Sequence, residues 1–127
     1  MAMNNVLAIV VVLMVANVKA IKTTVRVEND LTVDTILTLH CKSSTKDLGA
    51  KVLHSGQYIE WFFQPNENTK YWCSVLWNNI QQKNIVIYDA AKDAEICTDK
   101  CWRGISPDRI YFYNQFKSTW ENRYHWN

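Results

Sequence analysis

Cys41, Cys73, Cys97 and Cys101 are the residues whose type first invites a chemical role. Thiols can join as disulfides, bind zinc or act as nucleophiles. Zinc sites draw on close C-x-x-C pairs, and this chain has none, since Cys97 and Cys101 stand four apart. A nucleophilic thiolate must be free. An even cysteine count in a small exported domain points instead to two disulfides. Each would contribute on the order of 2–4 kcal/mol, mostly by restricting the unfolded chain. Four cysteines allow three pairings, and their spacing does not choose among them.

Histidine chemistry is the next option. A two-histidine ribonuclease needs imidazoles on opposite sides of a phosphate, one as base and one as acid. His40 adjoins Cys41 in a strand-like run, His54 falls in a loop, and His125 is near the C-terminus, so the sequence sets up no evident pair. Asp89, Asp93, Glu95 and Asp99 crowd four acids into a short stretch. Their spacing is not that of a D-x-D-x-D-G calcium loop, and Lys92 and Lys100 are interspersed; a solvated loop is expected. There is no G-x-S-x-G elbow, no H-E-x-x-H and no phosphate-cradling glycine loop. The expectation is a non-enzyme with no catalytic residue, no metal site and no cofactor.

The elements that carry these residues are strands. Charged residues make up 20% and hydrophobic residues 48% of the 127, the composition of a folded domain rather than a disordered or fibrous chain. The formal charge of +2 gives no ground for a nucleic-acid partner. Residues 6–16 form an uninterrupted apolar run. As a helix it would rise about 16 Å, about half of a hydrocarbon core, so direct membrane insertion is not expected. Val18 and Ala20 stand where a signal peptidase reads. Residues 1–20 are therefore expected to be a signal peptide and residues 21–127 a single secreted, extracellular domain. No N-x-S/T sequon occurs, so N-glycosylation is not expected.

Beyond the leader the period is close to two. Residues 23–28, 35–41, 58–63, 71–77, 84–89 and 109–114 are β-branched or aromatic runs separated by polar turns. They predict an all-β fold, an antiparallel β-sandwich of about seven or eight short strands. Residues 89–95 have room for one helical turn. Cys41 lies on the earliest strand to carry a cysteine and is expected to pair across the two sheets with a later one. All 16 aromatic residues fall between Tyr58 and Trp126. Those inside strands are expected to fill the core. Trp120, Tyr124 and Trp126 would either close one end of the sandwich or form a contact patch.

These blocks resemble one known group. Val25-Arg26-Val27-Glu28-Asn29-Asp30-Leu31 is similar to the opening of the plant self-incompatibility protein family, the S-protein homologues. So are Leu37-Thr38-Leu39-His40-Cys41-Lys42-Ser43-Ser44 with Asp47-Leu48-Gly49, then Trp61-Phe62-Phe63 and Tyr71-Trp72-Cys73-Ser74 with Trp77. Val86-Ile87-Tyr88, Cys97, Cys101-Trp102 and Ile110-Tyr111 complete the pattern. The chain departs from it where Trp102 directly follows Cys101, and at Arg109, where members usually carry the glycine of a left-handed turn.

The resemblance implies a small secreted β-sandwich with two disulfides and no catalytic centre. Members include a stigma protein that acts as a ligand for a pollen-surface partner and triggers rejection of self pollen. The implied role is a cell–cell signalling ligand whose partner is a cell-surface membrane protein on another cell. On a rigid scaffold, specificity belongs on the loops. Residues 43–51 and 89–100 are the candidates, with Ser43, Lys46, Asp47, Lys92, Asp93, Glu95, Asp99 and Lys100 as contact residues. Two other readings compete: a carbohydrate- or wall-binding module using Trp120, Tyr124 and Trp126, and a small ribonuclease-type hydrolase around His40 and His54.

Overall fold

The structure, a computed structural model, describes residues 22–126. The signal segment expected at residues 1–20 lies outside the described residues. The elements run in chain order β1 (Thr23–Asn29), β2 (Leu37–Lys42), β3 (Asp47–Leu53), β4 (Tyr58–Phe63), β5 (Lys70–Trp77) and β6 (Ile80–Asp89). After them come α1 (Ala90–Asp93), β7 (Lys100–Ile105), β8 (Arg109–Asn114) and β9 (Thr119–His125). One sheet has the order β4–β1–β7–β8–β9 and the other β3–β2–β5–β6. This is the expected all-β sandwich, with nine strands instead of seven or eight. Neighbouring strands are antiparallel except β1 and β7, which are parallel.

The alternation seen in the sequence is the pleat of the strands. In β1, Val25 and Val27 point inward, while Arg26 and Glu28 point out. From the opposite sheet Leu37, Leu39, Val75, Ile85 and Ile87 meet them. Burying such side chains is worth about 1.5–3 kcal/mol each, which is what presses the two layers together. Trp61 and Phe63 of β4 close one side, with rings 5.3 and 4.9 Å from Tyr71. Phe63 also meets Tyr88 edge-on at 5.2 Å. Tyr71 and Tyr88 are core, and Trp61 and Phe63 pack against it half-buried. The expectation that rings within strands fill the core is corrected for Tyr58 and Phe62, which the alternation of β4 turns to the outside.

Asn29 ends β1 and is fully buried. Its Nδ2 donates to the carbonyls of Thr35 and Leu53, both at 2.9 Å, and its Oδ1 accepts from the Leu31 amide at 3.0 Å. One amide side chain thus ties the turn after β1 to the end of β3, which explains an Asn in the V-x-V-x-N-D-L block.

Two expectations are corrected. Cys41 bonds to Cys73, its direct partner in the β2–β5 register, so this bridge lies within the four-stranded sheet and not across the two sheets. Opposed residues of neighbouring strands are close enough to be joined. The second bridge, Cys97–Cys101, closes the short segment before β7. Residues 43–51 are also not one loop, because Asp47 to Lys51 belong to β3. The helical turn at residues 89–95 does form as α1, capped by Asp89, whose Oδ1 accepts from the Ala91 amide at 3.1 Å. Arg109 is a strand residue. Among the described residues, left-handed non-glycine backbone occurs at Asp34, Asn78, Asn84 and Ser118.

Candidate functional site

The outer face of the five-stranded sheet carries a row of side chains, one from each strand. Strand register makes it: Arg26 of β1 lies opposite Trp102 of β7, and Tyr113 of β8 lies opposite Trp120 of β9. Arg103 lies opposite Phe112, which sets Trp102 beside Tyr113. The Arg26 guanidinium sits between two rings, 4.3 Å from the centroid of Tyr58 on β4 and 4.8 Å from that of Trp102. Its Nε also donates to Glu60 Oε2 at 2.9 Å. Trp102 stacks on Tyr113 at 5.2 Å and 23°, and Tyr113 meets Trp120 at 5.1 Å and 51°. Such cross-strand contacts add about 0.5–1.5 kcal/mol per aromatic pair beyond their area. The row ends in the open: Tyr58 is 47% and Trp120 50% exposed.

This geometry divides the C-terminal aromatic cluster. Trp120, Tyr124 and Trp126 have the same parity and would share a face of a regular strand. A register shift between Ile110 and Tyr111 in the β8–β9 pair breaks that parity. Trp120 stays outside. Tyr124 turns inward and donates to Gln82 Oε1 of β6 at 3.2 Å. Trp126 donates its Nε1 to the Ser106 carbonyl at 2.7 Å and meets Trp77 edge-on at 6.1 Å. Tyr124 and Trp126 therefore close one end of the sandwich, and the patch of three is corrected to one exposed ring.

Beside the row, Gly104 replaces a side chain on the outer face of β7. A Cβ there would overlap the Asp30 carboxyl and stand 3.9 Å from the Trp120 ring. Although Asp30 as a residue is exposed, its carboxyl is folded in over this glycine. Burial pushes that carboxyl up to about 7, and its hydrogen bond to Glu28 and the Glu28 charge add to the effect.

The loop residues meet different fates. Ser43 Oγ accepts from the Thr45 and Lys46 amides at 3.3 and 3.1 Å, shaping a tight turn with Lys46 exposed on it. Asp47 accepts from the Gly49 amide and meets His40 Nε2, contacts that hold its carboxyl below the usual range. Asp93 is corrected from a contact residue to a core residue, 5% exposed and bonded to Arg103. Lys92, Glu95, Asp99 and Lys100 remain on the surface. Gln115 clamps the segment bearing the last two, accepting from the Thr98 and Lys100 amides and donating to Asp99 Oδ1. Lys100 also reaches over the Trp102 ring at 5.7 Å, so this segment adjoins the aromatic row.

The histidines are spread out. His40 faces Ala50 across the β2–β3 pair, while His54 lies beyond the end of β3 and His125 is in the other sheet. His54 is four residues past Ala50, about 13 Å along an extended chain, too far to share a phosphate with His40. Among the described residues, no group of three or more His, Cys, Asp or Glu side chains could hold a metal ion. No helix of the described residues is long and apolar enough to cross a membrane.

What the geometry defines is a disulfide-stapled β-sandwich that presents an aromatic row on one outer face. Residues 24–126 match the family "Plant self-incompatibility protein S1". The chain belongs to this family, that of the S-protein homologues. It is 45% identical over 74 residues to S-protein homolog 5 of Arabidopsis thaliana, covering 57% of this chain and just over half, 56%, of that protein. S-protein homolog 29 of Arabidopsis thaliana is 33% identical over 108 residues, 84% of this chain and 78% of the relative. Self-incompatibility protein S1 of Papaver rhoeas is 24% identical over 86 residues, 65% of this chain and 62% of that protein. A solved structure of SPH (self-incompatibility protein homologue) proteins shares the fold, with a TM-score of 0.61 and 17% identity, covering 84% of this chain and 95% of the other. The SPH proteins are described there as a widespread family of small, highly stable, secreted proteins from plants.

Proposed function

We propose that this protein is a secreted extracellular signalling ligand recognised by a membrane protein on the surface of another cell. Family membership supports the reading, as does the description of the SPH proteins as secreted. The observation that carries it is the outward row of Tyr58, Arg26, Trp102, Tyr113 and Trp120. Tyr, Trp and Arg dominate the hot spots of protein interfaces, and these are held in place before any partner arrives. The contact surface is this sheet face together with the adjoining Asp99–Lys100 segment. Lys46 and the Ser43 turn belong to the opposite sheet, and Asp93 is inside.

The test is binding of fluorescently labelled protein to intact target cells. Trp102→Ala and Trp120→Ala, each shown by circular dichroism to keep the fold, are expected to weaken binding at least tenfold, or about 1.4 kcal/mol. Full binding by both variants, with loss on exchange of residues 89–100 for those of a relative, would return the contact to the loop. The exposed Trp120 ring favours one other reading, a wall-glycan module. A salt-insensitive change in tryptophan fluorescence with cell-wall glycans, absent in Trp120→Ala, would replace the ligand role with that one.

A further inference from the structure

The sandwich is open along one seam. Among the described residues β6 pairs only with β5 and β9 only with β8, so two edge strands come from different sheets, and the Tyr124–Gln82 hydrogen bond bridges them. A cleft of about 370 Å³ opens in this seam beside α1, within the size range of small-molecule sites. Phe112, Tyr124 and Val86 give it an apolar lining, and Val86 as a residue is 42% exposed. Lys70, Lys92 and Arg123 stand around it.

The carboxylates of the cleft are already engaged. Asp93 Oδ2 accepts from the Asp89 amide at 2.8 Å and from Arg103 Nη2 at 3.2 Å. Asp89 accepts from the Ala91 amide and faces Lys70 Nζ at 3.6 Å. Arg123 bonds to Glu121, while Lys92 has no ion-pair partner among the described residues. Behind the lining, the buried Arg103 guanidinium stacks on Phe112 at 3.8 Å. With Arg103 and Glu121 included, four cations face three carboxylates. Burial lowers Arg103 to about 10, and the like charge of Arg123 pushes the same way although Asp93 opposes it. The cleft thus combines apolar walls with one more cation than carboxylate among the described residues around it.

We propose that this cleft binds a small amphipathic organic anion, a carboxylate or sulfonate on a flat apolar body. The apolar body lies against Phe112, Tyr124 and Val86, and the anionic group meets Lys92 and Arg123. This site lies outside the aromatic row and does not depend on the signalling role.

Titration of the purified protein with 1-anilinonaphthalene-8-sulfonate tests it, with probe emission as the readout. One saturable site is expected. Lys92→Gln and Arg123→Gln should each weaken it at least fivefold, Val86→Glu at least tenfold, and Lys46→Gln, outside the cleft, not at all. Naphthalene-2-sulfonate should displace the probe, whereas inorganic sulfate at matched ionic strength should not. Absence of saturable binding, parent affinity in Lys92→Gln, or equal displacement by sulfate would each overturn the proposal. Because Lys92 makes no ion pair, its variant decides the matter even where loss of the Arg123–Glu121 bond loosens β9.

Discussion

Arg103 Nη2 and Asp93 Oδ2 stand 3.2 Å apart in the interior, the arginine side chain fully buried and the aspartate 7% exposed. Neither is held by the other alone. Arg103 Nε donates to the Ile87 carbonyl at 2.8 Å, and so caps backbone on the open edge of β6. Asp93 accepts from the Asp89 amide at the start of α1. A strand of one sheet, an edge of the other and the short helix are thereby fixed to one another by a single pair of charges.

Removing one partner of such a pair leaves an uncompensated buried charge. Asp93→Ala is expected to cost about 3–5 kcal/mol in urea unfolding, while Asp93→Leu combined with Arg103→Met costs markedly less. A double variant no more stable than the single one would contradict this account.

The two disulfides should contribute unequally. Cys41–Cys73 spans 32 positions and Cys97–Cys101 spans 4. Loop-closure entropy then assigns about 4 kcal/mol to the first and about 2 kcal/mol to the second. Paired Cys→Ala variants, unfolded in urea under oxidising conditions, measure the difference directly.

Asp30 makes stability depend on pH. Its carboxyl is raised to about 7 in the folded protein, against about 4 in an unfolded chain, so folding takes up a proton between those values. The contribution is complete below about pH 4 and is lost as pH rises through about 7. Urea midpoints are expected to fall across that window, and Asp30→Asn should flatten the fall. Gly104→Ala, which displaces the Asp30 carboxyl, should return its titration toward the ordinary range when followed by carboxyl NMR.

Asn29 offers a change that keeps the shape of a side chain while exchanging its donor for an acceptor and adding a charge. Asn29→Asp replaces the Nδ2 donor with an oxygen aimed at the carbonyls of Thr35 and Leu53. At neutral pH the loss is expected to reach at least about 3 kcal/mol, because two carbonyls lose their donor and face a buried charge that keeps only the Leu31 amide as a donor. The loss should shrink in acid, where the introduced carboxyl regains a proton to donate.

Six strands were legible in the sequence because their inward positions are apolar at every second residue, as in β1 and β8. The three that were not lack that signal for particular reasons. β3 buries only Leu53 and contains Gly49 at φ 79°. β7 buries an arginine and a glycine among its inward and outward positions. β9 is a polar edge strand whose parity changes at a bulge. The start of β6 was hidden in the same way, since Asn78 at φ 51° makes a two-residue turn after β5 that polar composition alone does not reveal.

The aromatic row was out of reach for a different reason. Arg26, Trp102, Tyr113 and Trp120 come into one row only through the β1–β7, β7–β8 and β8–β9 registers, which no local pattern encodes. The cysteines were legible as two bridges, yet their pairing also had to wait for register.

The parallel pairing of β1 with β7 bears on how the molecule is made. β1 precedes the other described strands and occupies an interior place in its sheet, between β4 and β7. Its second neighbour is produced only after β2 to β6, so the five-stranded sheet stays incomplete until β7 to β9 have emerged. Contacts so distant along the chain form slowly. The opposite sheet, whose members β2, β3, β5 and β6 all precede β7, can assemble first and close its Cys41–Cys73 link, giving the late-arriving strands a template on which to settle.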